Sequence, residues 1–296
     1  MRATAVTAPS SAADTRHRSE WLRAWWRFRR NRPALVGLAL VVALVILGAF
    51  PQVFAPFSPY VQILRDRGAG PSSIHPFGVD QVGRDILSRV IYGARIALLV
   101  GLSATGLSLV VGVAVGATAG YFGRTADAVL MRLVDALMAF PVLVLLIAAA
   151  AAIGPGLSNL IVIIGLTTWA QYARVVRAEM LRLREQDFVA AARAVGATSA
   201  RIITRHLLPN MLGPIIVLAS LSVAGVILLE STLSFLGLGV QPPTPSWGSM
   251  LSDGRTYILS YPGIAIFPGL AITIVVLAFN LLGDGLRDAI DPRATG

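Results

Sequence analysis

Few residues of this chain are placed to do covalent chemistry. Serine, histidine and aspartate are present, but no nucleophile and base form a recognisable catalytic constellation. His75 and His206 belong to no cluster with metal-ligand spacing. Cysteine is absent, which removes disulfides, thiolate metal sites and thiol nucleophiles. All 25 basic residues are arginine, so the lysine of a G-x-x-x-x-G-K-[ST] phosphate loop is missing too. The expectation is a chain that is not an enzyme and binds no cofactor itself; any ATP-driven role requires a partner. The remaining polar candidates are pairs and single residues in apolar surroundings. Asp85 and Arg89 stand at i,i+4, and Arg132 and Asp135 at i,i+3, as helical ion pairs do. Glu230 and Asn280 fall at or within long apolar runs, where a polar side chain marks either a solute pathway or a helix contact.

The elements that must position these residues are membrane spans. The chain is 55% hydrophobic and 14% charged, with a mean hydropathy of +0.72, the composition of an integral membrane protein. A helix needs roughly 20 apolar residues to cross a bilayer core of about 30 Å. Ala34 to Phe50 supplies one, between Pro33 and Pro51. Ile96 to Tyr121 supplies a second, whose Gly101, Gly106, Gly112 and Gly116 suit close helix packing. Ala136 to Ala173 is too long for one crossing and is broken by "GPG" at 154–156, so it reads as a hairpin of two. Leu207 to Leu229 and Tyr257 to Gly283 complete six. The stretch "VQPPTPSWGS" cannot sustain a helix and reads as a loop, not a seventh span.

The predicted fold is therefore all-α, with six transmembrane helices. A basic tail, 1–33, precedes the first helix segment, 34–56, and its first ~20 residues read as disordered. A loop at 57–95 leads to a five-helix core at 96–284, which includes loops at 174–208 and 235–256. The end, 285–296, returns to the side of the tail. Eight arginines precede Ala34 and seven lie between Arg174 and Arg205, so both termini and the 174–208 loop are expected in the cytoplasm. Loops 57–95 and 235–256 then face outward. The net charge of +10 reflects these cytoplasmic segments rather than nucleic-acid binding. Trp25, Trp26 and Phe28 are expected at the inner interface, and Trp247, Tyr257 and Tyr261 at the outer one.

Within 174–208, "AAARAVGATSARIITRHLLPN" reads as two short helices around a turn. Phe188, Ala191, Ala192 and Val195 fall on one stripe, and Gly196 ends the first helix. Thr198 or Ser199 caps the second, Ile203 and Leu207 share a face, and Pro209 marks its end. A small-residue helix at the membrane surface suits docking into a groove. Both ends are tethered to spans, which argues against DNA reading.

This segment resembles the cytoplasmic E-A-A-x3-G-x9-I-x-L-P loop of ABC importer permeases. Ala191, Ala192, Gly196, Leu208 and Pro209 match, while Ala190 replaces the acid and His206 the aliphatic residue. The stretches from His75 to Gly101, Gly120 to Pro141 and Glu230 to Leu251 resemble the dipeptide, oligopeptide and nickel branch. The basic leader followed by "FAPFSPY" resembles the C-type, second permease of that branch. The resemblance implies a type I importer permease fold and import of peptides. It implies a second permease, two ATPase subunits that bind ATP and Mg, and an extracytoplasmic solute-binding protein. Nickel or glutathione as solute, or a secondary transporter or channel without ATPase, are the alternatives. The resemblance assigns ATPase coupling to Asp187, Phe188, Ala191, Ala192, Arg193, Val195, Gly196, Ala197 and Pro209. Glu230 and Asn280 are pathway candidates, and Asp80, Arg84, Asp85 and Trp247 candidates for binding-protein docking.

Overall fold

The computed structural model describes residues 22–290. The whole stretch read as disordered, and residues 291–296, fall outside that range. Apart from one isolated bridge, Val79 to Asp85, the regular structure described is helical. We label α1 Arg32–Ala49, α2 Ile86–Phe122, α3 Arg124–Met138, α4 Val142–Ile153, α5 Leu157–Arg184 and α6 Asp187–Ala194. Then follow α7 Ser199–Ile202, α8 Leu208–Phe235, α9 Trp247–Arg255 and α10 Gly263–Ile290. A π turn, Ile203–Leu207, carries α7 into α8 without a break.

The helices form a bundle with two distinct ends. At the near end the two ends of the described chain meet, where Asn31 Nδ2 donates to Asp288 Oδ2 at 3.2 Å. The helices α6 and α7 lie at this end. The far end carries the 50–85 loop and α9. Among the described residues, five continuous helices are long and apolar enough to cross a membrane, and α3 with α4, bent by 85°, make a sixth when the pair is counted as one span. At 12 residues α4 spans only about 18 Å, short of a bilayer core. At one end of the pair, Asp127 is held by Arg177 in α5, through a 2.6 Å bond from Nη2 among others. At the other, the Gly156 N–H donates to the Gly239 carbonyl at the far end. The expected hairpin thus keeps its GPG turn, but its first limb is split at Pro141, which lacks the N–H a continuous helix needs.

Several helices overrun the apolar runs. α2 begins at Ile86 rather than Ile96, α5 continues to Arg184, α8 to Phe235 and α10 to Ile290. The 57–95 loop is correspondingly shorter, and 285–290 is helix. Beyond the apolar layer a helix keeps its i→i−4 bonds whatever its side chains, so charge marks the membrane boundary and not the helix end.

The most extensive contact is between α2 and α5, and glycine makes it possible. A Cβ on Gly112 would lie 2.8 Å from the Trp169 carbonyl oxygen. One on Gly116 would lie 2.9 Å from Val176 Cβ, and one on Gly120 2.7 Å from Met180 Cβ. The three glycines recur every fourth residue, one face of a helix, and let the two backbones close on each other. Gly106 is not part of this contact: a Cβ there meets nothing within 4 Å.

The expected ion pairs exchange partners. Asp85 is the N-cap of α2 and accepts from the Ser88 N–H at 2.7 Å and pairs with His75 Nδ1 at 2.9 Å, leaving Arg89 to Asp80 and Asp253. Asp135 bonds Arg174 at 2.8 Å rather than Arg132. Trp247 and Phe28 are buried, 2% and 5% exposed, so neither lies on the outer surface of the bundle.

Candidate functional site

At the near end, α6 carries Asp187 in its first turn and Arg193 in its last, each favourable to the helix dipole. Its C-terminus closes by two hydrogen bonds. The Gly196 N–H donates to the Arg193 carbonyl at 2.9 Å and the Ala197 N–H to the Ala192 carbonyl at 3.0 Å, the Schellman pattern. Gly196 stands at φ +80°, a conformation that costs glycine nothing and a β-branched residue dearly. Ala192 and Ala197, the residues bracketing that cap, join one apolar cluster.

One face of α6 is anchored and the other is free of the chain. Val189 and Ala192 are buried against Leu183, Ile202, Leu207 and Met211. Phe188, Ala191 and Val195 are exposed, Val195 at 85%. The expected four-residue stripe is therefore split: Ala192 belongs to the anchor, and Val189 was missed. The signal for Val189 is its i,i+3 spacing from Ala192, readable only once the packed side is known. Asp187, Ala190 and Arg193 are also exposed, and the Arg193 guanidinium lies over the Tyr121 ring at 5.9 Å.

From the turn, Thr198 caps α7 by accepting from the Arg201 N–H at 3.4 Å. Ile202 and Leu207, rather than Ile203 and Leu207, are the buried pair. Pro209 does not end this helix. The π turn precedes it, with the Leu208 N–H reaching back to the Ile203 carbonyl, so the ladder is already displaced by one residue where Pro209 has no N–H to give. The seat of α6 is thus continuous with a 28-residue helix.

At the far end, the loop before α2 folds over the bundle. Arg84 Nε donates to Asp80 Oδ2 at 2.6 Å, Arg89 lies 3.7 Å from the same oxygen, and Asp253 of α9 approaches both arginines. Trp247 Nε1 donates to the Val90 carbonyl at 2.9 Å. Asp80, Arg84, Asp85 and Trp247 are all buried. They set the shape of this surface from beneath and do not form its outer contacts.

The two pathway candidates part company. Glu230 is 1% exposed and accepts from Ser231 and Ser234 Oγ, so it is satisfied inside the chain. Asn280 is exposed on α10. The structure does not bring them together.

The sequence model of the family described as binding-protein-dependent transport system inner membrane component matches residues 112–296. The chain belongs to this family. A second model, the N-terminal transmembrane domain of oligopeptide transport permease C, matches residues 19–71. The permease is 43% identical over 275 residues to the dipeptide transport system permease protein DppC of Alkalihalophilus pseudofirmus, covering 93% of this chain and 90% of that one. It is 45% identical to a putative peptide transport system permease protein of Brucella abortus, over 90% of each chain. It is 41% identical to the glutathione transport system permease protein GsiD of Escherichia coli, over 94% and 92%. Among solved structures, an inward-facing MetNI methionine ABC transporter superposes with a TM-score of 0.56 at 20% identity, covering 69% of this chain and 97% of that one. The permease is thus a C-type transmembrane subunit of an ABC importer with the type I fold.

Proposed function

We propose that this permease imports short peptides and that α6 is its coupling helix. The near end, with the arginines of 174–205, faces the cytoplasm. There the exposed Phe188, Ala191 and Val195 seat in a groove of an ATPase subunit, one of two that bind ATP and Mg. A second, homologous permease completes the pathway, and a solute-binding protein docks on the far end. The observation that carries this reading is the closed cap of α6. It makes a rigid short helix with one apolar face outward and its other face fixed to α5 and α8. A rigid contact transmits motion only if it binds two states of the partner differently, and the packing of α6 on Leu207 and Met211 passes that difference to a span.

The peptide assignment rests on relatives named for dipeptides, peptides and glutathione. Ala190 is exposed on α6, so the replaced acid removes a charge from the docking face and leaves its shape. The test is Gly196→Val beside Gly196→Asn in the assembled importer. No neighbour lies within 4 Å of a Cβ at this position, so the effect is on the backbone alone. Valine is expected to abolish peptide uptake and solute-stimulated ATP hydrolysis at normal abundance. Asparagine, which tolerates positive φ, is expected to retain both. Normal uptake by the valine variant sinks the coupling role.

A further inference from the structure

Two spans carry hydroxyls and an amide at their midpoints that neither α6 nor the far-end loop uses. Thr168, Gln171 and Tyr172 of α5 and Ser222 and Gly225 of α8 line a cavity of about 130 Å³, whose apolar wall includes Leu229. That is room for roughly four waters, or for a small solute group. No charged side chain among the described residues lines it. Tyr172 is 3% exposed and its hydroxyl has no hydrogen-bond partner, although the hydroxyls of Thr105 and Ser222 lie beside it. Thr105 Oγ1 is also buried and unpartnered. Ser222 donates to the Leu218 carbonyl at 2.8 Å, so its oxygen is left as an acceptor. Gln171 is exposed and brings a donor and an acceptor on one amide.

Buried hydroxyls without partners are rare, because leaving them so is costly. Polar groups inside a membrane bundle characteristically face one another or a watery cavity. Here they do both: the Tyr172, Thr105 and Ser222 hydroxyls lie beside one another, while Thr168, Gln171 and Ser222 bring polar groups to the cavity in the middle of the two helices, one of which continues into the α6 junction. Gly225 opens the site further: a Cβ there meets nothing within 4 Å.

We infer that this cavity is a solute subsite on the translocation pathway, and that it takes the neutral main-chain amide of a short peptide. An amide offers one donor and one acceptor, the complement of the Ser222 oxygen and the Gln171 amide. A carboxylate or ammonium finds no counter-ion here. The inference rests on the peptide reading above and moves the pathway from Glu230 to the adjacent face of α8, where Leu229 lies.

The chain has no cysteine, so Gln171→Cys places its single thiol at the cavity. In the complete importer, a water-soluble methanethiosulfonate is expected to modify this thiol. Dialanine with the binding protein should slow modification about tenfold, the value of roughly one hydrogen bond in affinity. Gly225→Leu projects into this space from a position where a Cβ itself meets nothing within 4 Å. It is expected to cut labelled dialanine uptake at least about tenfold, while binding-protein-stimulated ATP hydrolysis persists. Wild-type uptake by a normally assembled Gly225→Leu importer overturns the subsite, as does modification that dialanine does not change. If Gly225→Leu fails to assemble, the exposed Gln171→Cys decides alone. A wild-type importer that carries nickel and no dialanine overturns the peptide reading and the amide assignment. Whether Gly225→Leu then blocks nickel separately decides the subsite's place on the pathway.

Discussion

Leu229 and Glu230 are neighbours in the chain, about 100° apart around α8. Leu229 lines the mid-bundle cavity, while Glu230 turns inward to Ser231 and Ser234. A sequence shows that a carboxylate lies near a span's end, but not which way it turns. The same limit governs the far-end charges. Asp85 and Arg89 have the spacing of a helical pair, but α2 starts at Ile86, so Asp85 is its cap and its oxygens go to the Ser88 N–H and to His75. Arg89 turns instead to Asp80, which also holds Arg84. The consequence is testable. Asp80→Ala leaves two buried guanidiniums without their main counter-ion, and removing one partner of a buried pair costs about 3–5 kcal/mol. A clear fall in the thermal midpoint of the purified importer is expected. An unchanged midpoint means that Asp253 suffices for both arginines.

At the scale of the helices, hydropathy located the crossings well, because a bilayer leaves a strong mark on side chains. It located helix ends poorly. The polar turns at 86–95 and 174–184 lie beyond the apolar runs, and nothing in composition separates them from loop. The bent passage was hidden for a related reason: α3 is charged on one face and had no place in an apolar run. The glycine spacing was legible, and its partner was not. Gly112, Gly116 and Gly120 close on α5, while Gly106, out of their four-residue register, faces open space. Gly116→Leu should therefore cost about 1–3 kcal/mol or more by overpacking, read as lost abundance in the membrane. Gly106→Leu should stay within about 0.5 kcal/mol of wild type. Equal losses in both would mean that helix propensity, not the α2–α5 contact, governs this face.

At the scale of the whole molecule, the number of crossings decides which sides the ends occupy. Counting α3 and α4 as a passage gives six and puts both ends of the chain on one side, in line with the Asn31 to Asp288 bond. Fluorescent-protein fusions at the two termini are expected to mature in the cytoplasm alike. A C-terminal fusion that stays dark, while a periplasmic reporter there is active, would make the bent pair a re-entrant loop. The coupling segment was legible as a short helix, a glycine break and a continuation, because caps are written in local sequence. Which face it turns outward was not, since that depends on Leu183 and Met211, which are distant in the chain or carry no mark of their role.

The π turn at Ile203–Leu207 has a consequence for timing around the helix axis rather than along it. A π turn holds one residue more than the α turn it replaces. It therefore sets the phase between the short segment at the membrane surface and the long span above it. Removing a single residue there would rotate one against the other by about 100°. α6, pinned by Val189 and Ala192, would then keep its seat only if α8 turned the cavity wall of Ser222 and Gly225 away from α5. Through this turn the angular setting of the surface helix and that of the solute cavity become one quantity, like two gears keyed to a single shaft.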